Sequence, residues 1–246
     1  KQVKAGAIGG EKAVADFEQE IGMMASIEPH ENLVKLFGIM TLASGDLAAV
    51  VEYCAGGSLM ETLYGKHARE WTLEQQIKVA HDAACGLAHL HRLELIHRDI
   101  AARNVLLKKH GVAKLADFGM ARTIDENEYE QQTVNAVGPL KWMAPEQMER
   151  RAYSKASDVF SFGVLLYEIF ACEMPWKGMQ NMLAAKKVMD GERMEPPDDA
   201  PEDVQQLMVA CWSHKPKRRP QMSDVQDTLA SIVEESSSIE SEQSTE

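Results

Sequence analysis

Hydrophobic positions change their spacing along the chain, and this change divides it into two regions. Near the amino end, Phe17, Ile21 and Met24 recur three or four residues apart, which predicts one apolar face of a helix. Two apolar runs follow at 33–40 and 46–53, joined by a short polar turn, and they predict a pair of strands. The first region therefore indicates a small lobe that is partly β-structure.

Beyond Gly57 the pattern becomes mainly helical. Thr72 and Gln75 have the spacing of a capping box, which predicts that a helix begins there. The stretch from Val159 to Phe170 is apolar on nearly every side, so we expect it to form a buried helix. A small, partly β region before a larger helical one predicts an α+β fold with two lobes.

The predicted boundaries divide the chain into four segments. We expect a small lobe at 1–53, a hinge at 54–57, a large helical lobe at 58–233 and an acidic tail at 234–246. The tail contains five Glu, no basic residue and one apolar residue. Such a segment cannot bury enough apolar surface to offset the entropy of ordering, so we predict that it is disordered.

The acidic balance of the chain narrows its possible partners. Its 246 residues include 26 Lys+Arg and 38 Asp+Glu, a net charge of −12, which argues against nucleic acid as a partner. No apolar stretch approaches the roughly 20 residues that span a bilayer, so we expect no membrane contact. The four cysteines form no CxxC pair and predict reduced thiols. These features indicate a cytoplasmic protein, or the intracellular part of a larger one.

A hairpin pattern brings candidate chemistry together in the middle of the chain. Two short apolar runs, 105–107 and 112–116, flank the turn KKHG. Because residues that enter the first strand lie beside those that leave the second, Asn104 and Asp117 should meet, with Asp99 on the preceding loop. Carboxylate and amide oxygens suit Mg²⁺. The hairpin therefore predicts a magnesium site, and the simpler interpretation is a solvated acidic hairpin end.

Five motifs in one order carry a resemblance to a known family. They are HRDIAARN at 97–104, DFG at 117–119, MAPE at 143–146, SDVFSFGVLLYE at 157–168 and the late Arg219. Together they resemble the catalytic domain of eukaryotic protein kinases, from residue 1 to about residue 233. The resemblance implies a two-lobed protein-kinase-like fold, ATP and Mg²⁺ as cofactors, and transfer of the ATP γ-phosphate to a protein hydroxyl.

The resemblance assigns roles to the catalytic loop. Asp99, Arg103 and Asn104 would be catalytic, and Asp99 would accept the proton of the substrate hydroxyl. Asn104 and Asp117 would hold the magnesium ions that bridge the phosphates and neutralise their charge. Positioning and charge stabilisation, rather than covalent chemistry, would then account for most of the rate.

The resemblance also assigns the nucleotide site. Lys1 would hold the ATP phosphates at the end of the third strand and pair with Glu20, a carboxylate on the apolar face of the first helix. Lys4 is the competing choice for this lysine, and Glu20 could instead lie at the rim with its carboxylate in water. The adenine pocket would be built from Val51 at its back, the hinge backbone of Glu52 and Cys54, and Leu106 as its floor.

If Lys1 is the nucleotide lysine, the glycine-rich phosphate loop and the first two strands of the family are absent from the sequence. The stretch from Gly6 to Gly10 follows the lysine strand and lacks the G-x-G-x-x-G spacing, which is typical of a flexible connector. We therefore expect this 246-residue chain to bind nucleotide weakly and to turn over poorly. A version extended upstream should be active.

Other residues would hold the site in place. Glu146 and Arg219 would form a buried ion pair, and Asp158 would cap backbone groups of the catalytic loop. His97 would pack on Phe118 and keep the metal loop in position. The resemblance implies an apolar column between the lobes, formed by Met24, Leu36, His97 and Phe118.

Two loops favour tyrosine as the phosphate acceptor. Serine/threonine kinases usually carry a lysine where this chain has Ala101, and the basic residue here is Arg103 instead. The stretch GPLKW at 138–142 resembles the platform that tyrosine kinases form for the longer phenolic side chain. Tyrosine-bearing protein substrates are therefore the expected partners. A tyrosine-kinase-like serine/threonine kinase is the alternative, because such relatives share the SFGV and WMAPE stretches.

Tyr129 resembles a tyrosine-kinase autophosphorylation site, because it lies between DFG and MAPE among the acidic residues of 125–130. Phosphate would add a charge of about −1.5 to −2 and could pair with Arg98 or Arg122. The simpler interpretation is an exposed loop tyrosine. Two non-enzymatic alternatives also stay open, a pseudokinase scaffold and an inactive truncated kinase fragment. Pseudokinases usually lose the catalytic or the metal aspartate, and this chain keeps both.

Overall fold

The computed structural model describes residues 2–3, 10–117, 121–123 and 140–243. The helices of this part are α1 Gly10–Ser26, α2 Leu59–Leu63, α3 Leu73–Arg92, α4 Pro145–Arg150, α5 Lys155–Ala171, α6 Asn181–Met189, α7 Glu202–Cys211 and α8 Met222–Gln243. Its strands are β1 Gln2–Val3, β2 Leu36–Thr41, β3 Leu47–Val51, β4 Gly57–Ser58, β5 Leu95–Ile96, β6 Val105–Leu107, β7 Ala113–Leu115 and β8 Arg122–Thr123. A small sheet region followed by a larger helical region confirms the predicted α+β, two-lobed fold class.

The small lobe contains helix α1 and an antiparallel sheet in the order β1–β3–β2. Strands β2 and β3 are the two strands that the apolar runs predict, and Met40 lies opposite Ala48 in their ladder. On α1, Phe17 and Ile21 are buried, as their helical spacing predicts. The loop between α1 and β2 reaches from this lobe toward the β6–β7 hairpin.

Helix α5 forms the buried centre of the large lobe, and α3 and α7 pack against it. This confirms the prediction from its continuous apolar pattern. A side chain at Gly163 would place its Cβ 2.7 Å from the Cβ of Cys211, so glycine permits the close approach of α5 and α7. The predicted capping box of Thr72 and Gln75 is present at the start of α3. All four cysteines carry free thiols, as predicted.

The hairpin of β6 and β7 connects the small lobe to the large one. The N–H of Leu115 donates to the carbonyl of Asn32 at 2.8 Å, and Asn32 Nδ2 donates to the carbonyl of Ala113 at 3.0 Å. Behind this loop, a Cβ at Gly86 of α3 would lie 2.6 Å from the Asn32 carbonyl oxygen. The loop between α1 and β2 therefore rests directly on the hairpin and on bare backbone of α3.

The disorder predicted for the acidic tail stays a prediction. Helix α8 runs on to Gln243 and so includes residues 234–243. In its earlier turns Val225, Leu229 and Ile232 are buried in the core of the large lobe. Those turns supply the costly helix nucleus, and each further residue then adds a backbone hydrogen bond at low cost. Composition alone does not register this effect of a preceding, anchored helix.

No helix in the described ranges combines the length and the apolar character that are needed to cross a membrane.

Candidate active site

The open end of the β6–β7 hairpin holds the residues that the sequence predicts to be catalytic. Asn104 Nδ2 donates to the backbone carbonyl of Asp99 at 2.8 Å and to its carboxylate at 2.6 Å. Across the hairpin, the N–H of Ala116 donates to the carbonyl of Asn104 at 2.9 Å. Asp117 follows directly and has a φ of 63°, a left-handed conformation that non-glycine residues rarely adopt. The structure therefore gathers Asp99, Asn104 and Asp117 at one end of the hairpin.

Arg103 links the catalytic loop to the segment that precedes α4. Its guanidinium forms an ion pair with the carboxylate of Asp99. It also lies over the ring of Trp142, 4.6 Å from the ring centre. A planar guanidinium can make both contacts, because its N–H edges donate while its face stacks on an aromatic ring. Arg103 thus connects the two loops on which the prediction of tyrosine specificity depends.

Asp158 lies under the catalytic loop, in the first turn of α5. Its buried carboxylate accepts hydrogen bonds from the N–H groups of His97 at 2.8 Å and Arg98 at 2.9 Å. His91 Nε2 lies 3.0 Å from the same carboxylate. Arg98 has a φ of 71°, a backbone conformation that costs free energy and persists only where surrounding contacts enforce it. The structure thus places Asp158 at the backbone groups that the resemblance predicts it to cap.

His97 is fully buried between the catalytic loop and β7. Its Nδ1 accepts a hydrogen bond from the N–H of Asp99 at 3.3 Å, and its Nε2 lies 3.2 Å from the carbonyl of Ala116. Burial lowers the pKa of His97 below its ordinary value. A neutral ring with its proton on Nε2 satisfies both contacts. Phe118, its predicted packing partner, lies outside the described residues.

A fully buried glutamate that has no predicted role lies under the same loop. Glu168 accepts hydrogen bonds from the N–H of Ala102 at 2.9 Å, from Trp142 Nε1 at 2.8 Å and from the hydroxyl of Tyr64. Burial raises the pKa of Glu168, while these donors favour its ionised form. A signal exists in the sequence, because a carboxylate on an otherwise apolar helix needs partners. Glu168 positions the catalytic loop and the Trp142 segment together.

The phosphate side of the predicted nucleotide site lies only partly within the described residues. Lys1 and its competitor Lys4 lie outside them, so the predicted pair between Lys1 and Glu20 stays a prediction. Glu20 is buried on α1, which argues against the alternative of a rim position in water. Met24 and Leu36, two members of the predicted apolar column, are half-buried.

Glu52, just before the hinge, forms ion pairs with the hairpin that the sequence analysis did not predict. The carboxylate of Glu52 lies 3.0 Å from Lys108 Nζ and 2.8 Å from Lys114 Nζ. Burial alone would raise the pKa of Glu52, but hydrogen bonds from the two lysines bring it below its ordinary value. The other residues predicted to contact adenine lie nearby in the chain or on the hairpin: Val51 at the end of β3, the buried Cys54, and the half-buried Leu106 on β6.

Glu146 and Arg219 form the ion pair that the resemblance implies. Arg219 NH1 and NH2 donate to the two carboxylate oxygens of Glu146 at 2.6 and 2.8 Å. NH1 also donates to the carbonyl of Ala156 at 2.8 Å, so this pair joins the segments at the start of α4, α5 and α8. Tyr129 lies outside the described residues, and its predicted pairing with an arginine stays a prediction.

The oxygen donors at the open end of the hairpin fit a magnesium ion. Asn104 keeps its amide oxygen for a ligand, because its Nδ2 donates to Asp99, and Asp117 supplies a carboxylate. Mg²⁺ usually binds one or two protein carboxylates together with water and substrate phosphates. Over the described ranges, no group of three or more His, Cys, Asp or Glu side chains could hold a metal. The donor set thus suits a cation that also binds phosphate.

Comparison with known proteins identifies a family and three relatives. The chain matches the family described as protein tyrosine and serine/threonine kinase over residues 1–229. It is 39% identical over 217 residues to tyrosine-protein kinase Fer of Homo sapiens. It is 37% identical over 217 residues to the Fer proteins of Rattus norvegicus and Mus musculus. Each match covers 88% of this chain and 26% of the relative, so the chain spans about a quarter of their length.

Proposed function

Since this chain belongs to the family of protein tyrosine and serine/threonine kinases, we propose that it transfers the γ-phosphate of ATP to a tyrosine hydroxyl of a protein substrate. The observation that carries the proposal is the open end of the hairpin, where Asn104 and Arg103 both contact the carboxylate of Asp99. A carboxylate held from two sides can meet an incoming hydroxyl in a single orientation, as proton transfer requires.

The chemistry follows from these contacts. Asp99 accepts the proton of the tyrosine hydroxyl as that oxygen attacks the γ-phosphorus of ATP in line with the departing ADP oxygen. Protein kinases use ATP together with Mg²⁺, and here Asn104 and Asp117 would hold the metal, whose charge neutralises the phosphate oxygens. The hydrogen bonds to Asp158 and Glu168 hold the catalytic loop in place, so little reorganisation is needed during the reaction.

Two observations support tyrosine over serine or threonine as the acceptor. The three Fer relatives are tyrosine-protein kinases by name. In addition, the stacking of Arg103 on Trp142 joins the catalytic loop to the stretch that would receive a phenol ring. Serine/threonine specificity is the competing outcome, because the matched family contains both kinds of enzyme.

A labelling assay tests the proposal. The upstream-extended protein, with ATP and Mg²⁺, should phosphorylate a Glu/Tyr copolymer and leave a Ser/Thr peptide unlabelled. Asp99→Asn should slow labelling by about 10²–10⁴-fold, because the general base is lost while the shape of the side chain is kept. Asp199→Asn, at an exposed carboxylate of the same lobe, is the matched control and should keep the full rate.

Three results of this assay would decide against the proposal. Preferential labelling of the Ser/Thr peptide would favour the serine/threonine alternative. An undiminished rate in Asp99→Asn would remove Asp99 from the mechanism. Binding of ATP without labelling of either substrate would favour the scaffold alternative.

A further inference from the structure

A second concave site lies on the large lobe, away from the open end of the hairpin. It is a cavity of about 430 Å³, a size that suits a small ligand or one side chain of a bound peptide. The turn of the β6–β7 hairpin forms one wall, and the first turns of α3 with the segment before them form another. The charged and aromatic residues of its lining are Arg69, Trp71, Lys78, Lys108, Lys109 and His110.

The lining is basic in a protein of opposite overall charge. The chain has a net charge of −12, yet none of the described residues that line this cavity is acidic. Two of the lysines are partly neutralised, since Lys78 pairs with Asp82 at 3.3 Å and Lys108 with Glu52 at 3.0 Å. Arg69 and Lys109 have no carboxylate partner among the residues that the structure describes. The cavity therefore concentrates uncompensated positive charge.

Arg69 is held in place by an aromatic ring instead of by a carboxylate. Its guanidinium lies over the ring of Trp71, 4.4 Å from the ring centre. Both residues are anchored to one carbonyl, that of Thr62, which accepts from the N–H of Arg69 at 3.0 Å and from Trp71 Nε1 at 3.1 Å. Stacking uses the face of a guanidinium and leaves its N–H edges as donors for an anion. The arginine is thus pre-arranged for a ligand that accepts hydrogen bonds.

The cavity also has an apolar part. The side chains of Val79 and Leu107 are nearly fully buried beneath it, and Trp71 is half-buried at its side. A bare phosphate ion would leave this surface unused. A ligand that presents a flat apolar ring together with a doubly charged group would use both the apolar and the cationic walls.

We propose that this cavity binds phosphotyrosine in a peptide with acidic neighbours, as a site separate from the active site. The phosphate would accept from Arg69 and Lys109, and the ring would lie against Trp71, above the buried Val79 and Leu107. Extended polyanions fit less well, because a membrane surface or a nucleic acid would also meet the acidic remainder of the protein. The preference for phosphotyrosine over other phosphates rests in part on the proposed function, of which phosphotyrosine is the product.

The chain itself contains a suitable probe sequence. Residues 123–132 read TIDENEYEQQ, with a single tyrosine among acidic residues. A fluorescein-labelled peptide of this sequence, phosphorylated on its tyrosine, would be titrated with the Asp99→Asn protein in the absence of ATP. Fluorescence anisotropy would report binding of the peptide. Contact with Trp71 would be reported by quenching of tryptophan emission that is lost in a Trp71→Leu variant. No catalysis is needed, so a failure of the proposed function would leave this measurement intact.

The expected result is saturable binding that depends on both the phosphate and the cavity. The unphosphorylated peptide should bind at least about tenfold more weakly than the phosphopeptide. The phosphopeptide should in turn bind the Arg69→Gln variant at least about tenfold more weakly than the parent protein. Arg69→Lys should give an intermediate affinity, because it keeps the charge and loses the planar donor edge. Lys177→Gln removes an exposed lysine that does not line the cavity, and it should leave the affinity unchanged.

Several results would overturn the proposal. One is that the phosphopeptide binds the Arg69→Gln variant and the parent protein with equal affinity when both proteins have the same unfolding temperature. Another is equal affinity for a phosphoserine peptide of otherwise identical sequence, since the apolar wall would then have no role. Preferential binding of phosphoinositide vesicles or of an oligonucleotide, abolished by Arg69→Gln, would assign the cavity to a different class of ligand.

Discussion

The two ends of the β6–β7 hairpin differ in burial, charge and hydrogen bonding, although only a few residues separate them. At the open end, Asn104 is buried and its side chain donates twice to Asp99. At the turn, Lys109 and His110 are exposed and line a basic cavity. The open end thus has the fixed geometry that proton transfer requires, whereas the turn supplies positive charge, which acts over a longer range and needs less precise placement.

The open end is held by residues from other parts of the chain. Asp158 and Glu168 support it from α5, and the loop at Asn32 holds the β7 strand from the small lobe. The turn depends mainly on its own short-range backbone hydrogen bonds, such as that from the N–H of Lys108 to the carbonyl of Val112 at 2.9 Å. Substitutions should therefore have large effects around the open end and small effects at the turn.

The largest effect is expected from Asp158→Asn. Only one oxygen then remains to accept from the N–H groups of His97 and Arg98, so one buried donor loses its partner. We expect the free energy of unfolding to fall by about 2–3 kcal/mol. Phosphotransfer should slow as the loop that carries Asp99 loses its support. Urea unfolding and steady-state kinetics would measure the two effects.

Asp227→Asn provides the control for that variant. Asp227 is exposed on α8, so its substitution should change the free energy of unfolding by less than about 0.5 kcal/mol. If the two variants were equally stable, the support that we assign to Asp158 would be absent.

A smaller loss of stability is expected from Gly86→Ala. Helix propensity alone predicts a gain of about 1 kcal/mol, because Gly86 lies inside α3. The added Cβ would lie 2.6 Å from the carbonyl oxygen of Asn32, however, and such overpacking costs about 1–3 kcal/mol. We expect the clash to dominate, so thermal unfolding should occur at a lower temperature than in the parent protein.

Gly22→Ala is the matched control, because Gly22 lies inside α1 and a Cβ added there would meet nothing within 4 Å beyond the local backbone of its own helix. This variant should gain stability, by up to about 1 kcal/mol. The opposite signs expected for two identical substitutions make the comparison sensitive to the loop contact. A gain in both variants would show that the loop does not press on α3.

The third prediction concerns the pH dependence of stability, through His30 in the loop between α1 and β2. His30 stacks on His89 with 4.6 Å between ring centres, and its Nδ1 accepts from the N–H of Asn32 at 3.1 Å. The pKa of His30 lies below its ordinary value of 6.5, chiefly because the ring is buried and because His89, Arg92 and Lys114 are nearby. Glu31 has an opposing effect on this pKa. The unfolded chain therefore takes up this proton first as the pH falls.

Stability should consequently decline as the pH falls below about 6.5, because the unfolded state then binds more protons than the folded state. In His30→Asn the amide oxygen can still accept from the Asn32 N–H, but nothing titrates. The variant should lose less stability than the parent between about pH 7.5 and about pH 5.5 in urea unfolding at each pH. If the free energy of unfolding fell equally with pH in both proteins, His30 would not contribute to the pH dependence of stability.

The smallest effect is expected at the turn of the hairpin. Lys109 is exposed and has no carboxylate partner among the described residues. Lys109→Gln should therefore change the free energy of unfolding by less than about 0.5 kcal/mol. A loss of more than about 1 kcal/mol, measured by urea unfolding, would mean that the turn carries structural contacts like those of the open end.

Much of the fold and of the site follows from local sequence signals. The capping box at Thr72, the spacing of Phe17 and Ile21, and the strand–turn–strand pattern around KKHG all predict elements that the structure contains. After residue 233 the composition predicts disorder, whereas helix α8 continues to Gln243. Local composition describes a segment by itself and does not include the helix that precedes it.

Local sequence patterns specify which residues meet at the open end of the hairpin, since Asp99, Asn104 and Asp117 are placed by a short turn and adjacent strands. The surroundings of that hairpin depend on the packing of distant segments: the buried Glu168 lies beneath the catalytic loop, and the cavity joins Arg69 to Lys109. The two kinds of contact differ in the distance along the chain that they bridge. A turn and a strand pair form through neighbours in the chain, whereas contacts between segments tens of residues apart depend on how whole helices pack.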